Sequence, residues 1–512
     1  MALVRIGLFE LLNPPEVPGF WGSGLKGRDA SLGAVEPYPT IIRMRLVPEE
    51  ILALIFAFVR EGVPRTRLKS DLEHDQAQAI AIRPLSETCK RFRRICLPYL
   101  FEAAIFDGSG LASRRRTATL VSVLREDSNI AQLARRVRIA HWRQTSSTRD
   151  STVWGNLSMA FGQMSGVRYV EIRDAAVVWE LFDHLQALPR LEDLSLTSAS
   201  VWGSTAQHGS SQHLFGALKR LKLLPTQVGL EFYQASEFIT PSLQSLHTNT
   251  TLLQNITSIQ QIFPHFPDSL CELAVTSTSE PRSQESTVLH GLLNLCPGLE
   301  SLRFPLALSL FHVSNNQTLY PLDGQILRLK SFEGRSDQAL LCCGGRPVDT
   351  LCINLFPTDV TIENRPNLLR PGSIPLRHLR LDGIRWKMNT MAFISRHCPE
   401  LRSLRVCATA KDGIVWMLQP MPRLQQASFL VGGLAWYGDE CTADHYIGLL
   451  QGSYNVWPKL ENLRLHPSYR WKRPRRNFGW SRVSGREDED DWRSGVGETG
   501  RSGYEMLGIA NY

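Results

Sequence analysis

Hydrophobic positions along most of the chain follow one short template, apolar-x-x-apolar-x-apolar. Nine clear copies begin at residues 167, 191, 218, 270, 299, 348, 376, 401 and 460, and degenerate copies begin at 243, 329 and 424. The starts at 167, 191, 218 and 243 lie 24, 27 and 25 residues apart, and wider gaps such as 424 to 460 indicate insertions. A pattern that recurs at this period predicts a row of similar structural units.

Each copy predicts a short strand with alternating inward side chains, followed by a turn and a returning helix. Helical returns are visible in "STVLHGLLNLCPGLESL" and "TMAFISRHCPELRSL", where an apolar stripe runs up to a Cys-Pro pair. One unit cannot bury its apolar face, so neighbours must stack. We therefore predict an α/β fold in which residues 134–467 form an irregular leucine-rich-repeat solenoid, a horseshoe. The alternative is an unrelated α/β domain with leucine-rich strands.

Two helical stripes are predicted before the repeats. In "VPEEILALIFAFVREG", residues 47–62, apolar residues recur at helical spacing after two acids, and Gly62 and Pro64 end the helix. Pro98 is predicted to end a second helix in "IRPLSETCKRFRRICLPYLFEAAIF", whose apolar stripe consists of Leu85, Cys89, Phe92 and Ile95. Such helices carry more apolar surface than they can bury alone. They are therefore either a docking module or the capping helices of the solenoid.

Both ends of the chain lack this periodicity. Residues 1–44 are rich in proline and glycine, and residues 468–512 gather opposite charge blocks, so we predict that both segments are disordered. The remaining chain divides into a helical domain at 45–102, a helical connector at 103–133 and the repeats at 134–467.

Composition predicts a folded chain in a reducing compartment. Of 512 residues, 43% are hydrophobic and 21% are charged, and a net charge of +8 spread over this length does not favour a nucleic-acid partner. The ten cysteines, without a CxxC pair, are expected to be small core residues. The start lacks the apolar run of a secretory signal, and no run of about 18 apolar residues predicts a membrane span. We expect a cytoplasmic or nuclear protein, or one found in both.

Three motifs are compatible with chemistry, but their context favours simpler interpretations. "GSGLKG", residues 22–27, matches a dinucleotide-binding pattern but follows no strand and opens no helix. The pair Cys342 and Cys343 is more typical of core packing at a turn. "WKRPRRNFGW", residues 471–480, mixes cations with aromatics, yet "REDEDD" downstream favours a solvated tail. No catalytic, cofactor or metal site is predicted, and we expect a non-enzyme.

The helical domain resembles an F-box. An F-box usually starts Leu-Pro-x-Glu-Ile-Leu, continues to Ile-Phe, and closes with a cysteine, a basic-aromatic pair and Leu-Pro-x-Leu-Phe. The stretches "VPEEILALIF" and "LSETCKRFRRICLPYLF" fill these places, with Val47 in place of the usual leucine. The match covers about 55 residues, and the connection "GVPRTRLKSDLEHDQAQAIA" is longer than usual. The repeats fit the fungal class of F-box proteins with leucine-rich repeats by architecture only.

The resemblance implies a substrate-recognition subunit of a Skp–cullin–F-box ubiquitin ligase. The helices would dock on a Skp-family adaptor, and through it on a cullin, while the repeats would hold a target protein that the sequence does not identify. The alternative is a leucine-rich-repeat scaffold that acts without ligase assembly. The residues that the resemblance assigns to adaptor binding are Val47, Pro48, Glu49, Ile51, Leu52, Ile55, Phe56, Leu85, Cys89 and Phe92.

Overall fold

The structure of the chain is a computed structural model. It describes residues 48–61, 71–142, 148–178, 180–202, 217–224, 240–249, 269–276, 293, 296–304, 326–354, 362, 366–369, 372–384, 389–408, 419–431, 457–466, 469–473 and 480–484. The predicted disordered arm at 1–44 and the "GSGLKG" motif lie outside these residues.

The described residues form the following helices and strands. The helices are α1 (Glu49–Glu61), α2 (Asp71–Thr88), α3 (Lys90–Phe101), α4 (Leu111–Glu126), α5 (Ser128–Ala131), α6 (Thr148–Phe161), α7 (Glu180–Gln186), α8 (Ser336–Cys343) and α9 (Thr390–His397). The strands are β1 (Ala103–Asp107), β2 (Arg136–Ala140), β3 (Tyr169–Arg173), β4 (Ala176–Val178), β5 (Asp193–Thr197), β6 (Ser200–Trp202), β7 (Arg220–Leu224), β8 (Ser245–Asn249), β9 (Glu272–Thr276), β10 (Ser301–Arg303), β11 (Ser331–Arg335), β12 (Thr350–Asn354), β13 (His378–Ile384), β14 (Ser403–Ala408), β15 (Gln426–Val431), β16 (Asn462–His466), β17 (Tyr469–Lys472) and β18 (Ser481–Ser484).

The first of two compact units contains the N-terminal helices. It comprises residues 1–191 with 199–204. Its strands β1, β2 and β3 are parallel, with Ala104 opposite Val137 and Val137 opposite Val170. Strands β4 and β6 form a separate parallel pair. Because parallel neighbours need a crossover between them, the helices α4 and α6 follow β1 and β2.

The second unit, residues 192–198 with 205–512, is a parallel ladder from β5 to β16. The fourth position of each template forms one continuous row of paired residues, which we call the apolar row. Its members are all buried: Leu194, Leu221, Leu246, Leu273, Leu302, Phe332, Leu351, Leu379, Leu404, Ala427 and Leu463. Each repeat thus covers the apolar side chains of its neighbours, as the stacking argument requires.

The turns that enter the strands are joined by a second regular set of hydrogen bonds. The N–H of Lys219 donates to the carbonyl of Glu192 at 2.8 Å, and the same bond recurs repeat by repeat to Glu461 N–H and Gln425 O at 2.9 Å. On the return side, α8 contacts the 3-10 turn Pro366–Leu369, and that turn contacts α9. The strands therefore stack, and so do the described returns from α8 to α9, which is the arrangement of a leucine-rich-repeat fold.

The structure confirms all twelve predicted strands and corrects three boundaries. Residues 103–133, predicted as a helical connector, begin with strand β1, which pairs in register with β2. Parallel strand pairing in the first unit therefore starts before residue 134. At the other end, the predicted disordered tail at 468–512 contains β17 and β18, which add to β16 as antiparallel strands. Trp471 pairs with Leu463 and is buried, so this hairpin covers the last repeat of the ladder.

The third correction concerns the second predicted helix. A helix break falls at Cys89 between α2 and α3, and Pro98 lies within α3 instead of ending it. The long connection between the two helical stripes is in part helix α2, which begins at Asp71. The sequence predicts a helix end at Pro98. In the structure the helix is instead interrupted at Cys89, whose backbone is extended.

Candidate docking surface on the N-terminal helices

Helix α1 packs one face against α2 and α3. Leu52 and Phe56, one helical turn apart, are both 3% exposed. The ring of Phe56 meets the ring of Phe92 edge-on, with centroids 5.2 Å apart. Ile82 and Cys96 complete a fully buried cluster around Phe56. The cluster fixes which face of α1 turns inward.

The opposite face of α1 carries three large apolar residues without cover in the described part of the unit. Ile51, Leu54 and Ile55 are 46%, 66% and 47% exposed. Their spacing of three and four places them on one side of the helix. Ile80 on α2 is also exposed, at 54%. Single exposed apolar residues are ordinary, but a set of three on one helix face is typical of an interaction site.

Polar contacts hold the start of α1 to α3. Glu49, in the first turn of α1, forms an ion pair with Arg91 at 3.5 Å and a second with Arg94. The hydroxyl of Tyr99 donates to the carbonyl of Ala53 at 3.2 Å. These contacts lie along the helix beside the exposed face. They orient α1 without covering Ile51, Leu54 or Ile55.

Cys89 acts as the N-cap of α3. Its backbone is extended, with φ −159°, and its Sγ accepts a hydrogen bond from the N–H of Phe92 at 3.4 Å. That hydrogen bond lowers the pKa of the Cys89 thiol, since it favours the thiolate. The side chain is exposed, so Cys89 is a capping residue and not the core cysteine that composition suggested.

The structure separates the ten residues that the resemblance assigned to adaptor binding. Pro48, Ile51 and Ile55 are exposed and available to a partner, and Cys89 is exposed at its cap. Leu52 and Phe56 are buried in the helical core and face away from solvent, and their assignment as contact residues stays a prediction. Of the other members, Glu49 is ion-paired with Arg91. Leu85 and Phe92 pack against the buried cluster. Val47 lies outside the described residues.

Sequence reasoning missed Leu54 and Ile80. Leu54 lies three residues after Ile51 and so shares its face, a spacing that the sequence does show. Ile80 falls in the stretch that was interpreted as a connection. Its helix α2 became visible only in the structure.

The motifs set aside in the sequence occupy structural positions where the structure describes them. Cys342 and Cys343 are fully buried in the core. Burial raises the pKa of Cys342 to about 12. In "WKRPRRNFGW", Trp471 is buried, and buried Arg473 donates to the carbonyl of Pro458 at 3.0 Å with its guanidinium over the ring of Trp480. Trp471 and Arg473 therefore close the ladder and do not present a free basic surface.

The described residues contain neither a metal-binding cluster nor a helix suited to a membrane. No group of three or more His, Cys, Asp or Glu side chains in these ranges is arranged to hold a metal ion. No helix in the described part of the chain has the length and apolar content to cross a bilayer.

Comparison with known proteins assigns the chain to no family. No protein-family model matches the chain, and no curated protein matches it. Among solved structures, an internalin from Listeria monocytogenes is similar at 13% identity and a TM-score of 0.32, over 62% of this chain and 91% of the internalin chain. TLR13 in its complex with ssRNA13 is similar at 13% identity and a TM-score of 0.28, over 71% of this chain and 51% of TLR13. The chain thus spans about half of TLR13.

The ladder itself defines the class of protein. Eleven successive parallel strands of the second unit, each built on the same leucine template, form a leucine-rich-repeat fold. This architecture presents extended surfaces for interaction with other molecules.

Proposed function

We propose that the chain is the substrate-recognition subunit of a Skp–cullin–F-box ubiquitin ligase. In this proposal the N-terminal helices dock on the Skp-family adaptor and the repeats bind a target protein. The observation that carries the proposal is the exposed apolar face of α1, formed by Ile51, Leu54 and Ile55. It lies in the segment that resembles an F-box, and a capping helix would have no need of it.

The proposed role requires no chemistry from this chain. A receptor subunit contributes proximity, because a tethered target meets the ubiquitin-charged enzyme at a high effective concentration. The chain would act in the cytoplasm or the nucleus, where such ligases assemble.

Adaptor binding can be tested with a substitution that leaves the helical core intact. Ile55→Asp places a charge on the exposed face, whereas a change at Phe56 would unfold the cluster behind it. We expect wild-type full-length protein to copurify with the Skp-family adaptor and Ile55→Asp to lose it, because burying an unpaired carboxylate in an apolar interface is costly.

The matched control is Leu111→Asp. Leu111 on α4 is also exposed, at 67%, and gains the same charge. It should still bind the adaptor. If the wild-type protein fails to bind at micromolar concentration, or if Ile55→Asp binds equally well, the ligase role is wrong and a scaffold acting without the ligase is the better description.

A further inference from the structure

The turns that enter the strands of the second unit form an edge along which neighbouring charges can be compared. The N–H of Arg377 donates to the carbonyl of Asp349 at 2.8 Å, and the N–H of Arg402 donates to the carbonyl of Arg377 at 2.8 Å. The same bond continues through Gln425 to Glu461, at 2.8 and 2.9 Å. These five residues therefore occupy adjacent turns, with backbones about 4.8 Å apart from one turn to the next.

Arg377 and Arg402 are two cations side by side in the middle of this edge. Both residues are exposed, and neither side chain has a hydrogen bond or an ion pair within the described part of the chain. Like charges on directly neighbouring strand positions destabilise each other, and an anion between them removes that repulsion. We call these two residues the arginine pair.

Cations elsewhere on the same edge are matched by carboxylates. Lys219 forms an ion pair with Glu192 on the neighbouring turn at 3.5 Å, and Lys330 forms one with Glu300 at 2.8 Å. These four residues take the second position of the leucine template, as the arginine pair does. Among the described second positions from 192 to 461, the arginine pair is the one place where two cations are neighbours.

The acids of the nearby turns do not cancel the charge of the arginine pair. The closest acid along the chain, Glu400, is ion-paired with Arg423 at 3.4 Å. In the turns that enter β13 to β16, four cations stand against two carboxylates, a surplus of two positive charges. The cations are Arg377, Arg402, Arg423 and Lys459, and the carboxylates are those of Glu400 and Glu461.

His378 shows that the two guanidinium groups act on the same point. Burial lowers the pKa of this half-buried histidine, Asp349 raises it, and the cations Arg402 and Arg377 lower it again. Both arginines therefore lie close enough to His378 to affect its protonation. This agrees with the hydrogen-bonded order of the turns.

We propose that the arginine pair binds carboxylates of an acidic segment in a target protein. A carboxylate between the two guanidinium groups accepts charge-assisted hydrogen bonds from both, and each guanidinium offers its donors in a planar fork. The exposed amide of Gln425, on the next turn, is available to a polar group of the same segment. The inference rests on the target-binding half of the proposed function and does not involve the adaptor.

The acids on either side of the arginine pair favour a protein segment over a nucleic acid. Asp349 lies one turn before Arg377, and Glu461 lies two turns beyond Arg402. The stretch from Arg377 to Gln425 is therefore only about 10 Å long. A nucleic acid carries a phosphate on every nucleotide and would bring phosphates against both acids. A protein segment can carry a few carboxylates with neutral or basic residues beside them.

The test measures the binding of fluorescent peptides to the full-length protein. The acidic probe is a glycine-serine peptide with four central glutamates, and the matched neutral and basic probes have glutamine or lysine at those positions. We expect the acidic probe to bind and the neutral probe to bind at least about tenfold more weakly. Added salt should weaken binding of the acidic probe, because the arginine pair is exposed to solvent.

Reversing the charge of the arginine pair should reverse the preference for the probes. In the double variant Arg377→Glu with Arg402→Glu, affinity for the acidic probe should fall at least about tenfold, and the basic probe should bind better than the acidic one. Arg402→Glu alone should give a smaller loss. Its matched control is Arg190→Glu, which reverses the charge of an exposed arginine in the turn before β5 and should bind as wild type. Circular dichroism checks the folding of each variant.

Three outcomes would overturn the inference. They are equal binding of the acidic and neutral probes, equal loss of affinity in Arg402→Glu and Arg190→Glu, and tighter binding of single-stranded RNA that depends on the arginine pair. The last outcome would make a nucleic acid the ligand.

Adaptor copurification separates this inference from the proposed ligase role. The double variant should keep the adaptor, and Ile55→Asp should keep the acidic probe. If the wild-type protein binds the acidic probe but not the adaptor, the ligase role fails and the arginine pair is the target site of a scaffold. If it binds the adaptor but not the acidic probe, the arginine pair is not a target site.

Discussion

Leucine occupies two contrasting environments in this protein. Leu404, in the second unit, lies in the apolar row between Leu379 on one neighbouring strand and Ala427 on the other, and it is fully buried. Leu54, in the first unit, lies on the outer face of α1 and is 66% exposed. The two side chains have the same hydrophobicity. They differ in the number of directions from which the fold covers them.

The difference follows from how each element is covered. A strand inside the ladder has a neighbour on both sides and the returning segments behind it, so its inward side chains have no route to water. Helix α1 is covered on the side of Phe56 and Leu52, where it packs against α2 and α3. The ladder therefore completes its own core, whereas α1 leaves an apolar face exposed.

The largest expected effect comes from the same substitution made in both environments. Leu404→Ala should lower the free energy of unfolding by about 2–5 kcal/mol, because it leaves a cavity in a closed core. Leu54→Ala should change it by less than about 0.5 kcal/mol, because its side chain is largely in water. Denaturant unfolding of both variants measures the difference. Similar losses at the two sites would mean that α1 is covered within the free protein.

A second test addresses the polar face of the ladder through His247 on β8. Burial, reinforced by the cations Lys222 and Arg303, lowers the pKa of His247 to about 3. Its unfolded value is about 6.5, so the unfolded chain binds the extra proton as pH falls from 6.5 towards 3 and stability decreases in that window. Between pH 7 and pH 5 the loss from this residue should be about 2 kcal/mol.

The His247→Gln variant isolates this contribution. Its free energy of unfolding should fall by about 2 kcal/mol less than that of wild type when the pH is lowered from 7 to 5, because glutamine does not titrate there. Denaturant unfolding of both proteins at the two pH values provides the comparison. Equal decreases in the free energy of unfolding of the two proteins would show that His247 is open to solvent. They would also weaken the contrast between the ladder and α1.

The smallest effect is expected among the N-terminal helices, at the N-cap of α3. There the Sγ of Cys89 is a weak acceptor for the N–H of Phe92, at 3.4 Å. Serine is a preferred N-cap residue because its oxygen accepts a stronger hydrogen bond. Cys89→Ser should therefore raise the melting temperature slightly. Cys89→Ala should lower it, since the N–H of Phe92 then loses its acceptor. A serine variant less stable than wild type would mean that the thiol contributes more by packing than by capping.

Much of the repeat region could be predicted from the sequence, and its ends could not. Every copy of the leucine template coincides with a strand, from β3 to β16. An apolar pattern with a period of two residues fits a strand, and its recurrence at a regular spacing fits a row of parallel strands. Strand β1 was missed because Ala104 and Phe106 take the leucine positions. The hairpin of β17 and β18 was missed because its charged residues resemble a tail, although Trp471 is buried against the ladder.

The sequence by itself determined the apolar period, and with it the strands, their order and the helical character of the N-terminal segment. It also placed Ile51 and Ile55 on a helix. Only the tertiary structure decided that Phe56 and Leu52 face inward while Leu54 and Ile80 face outward, and that Arg405 and Asp382 lie on the same face of neighbouring strands. The physical reason is that periodicity is a local property of the chain. Which apolar face is covered, and which charges become neighbours, depends on contacts between residues far apart in sequence.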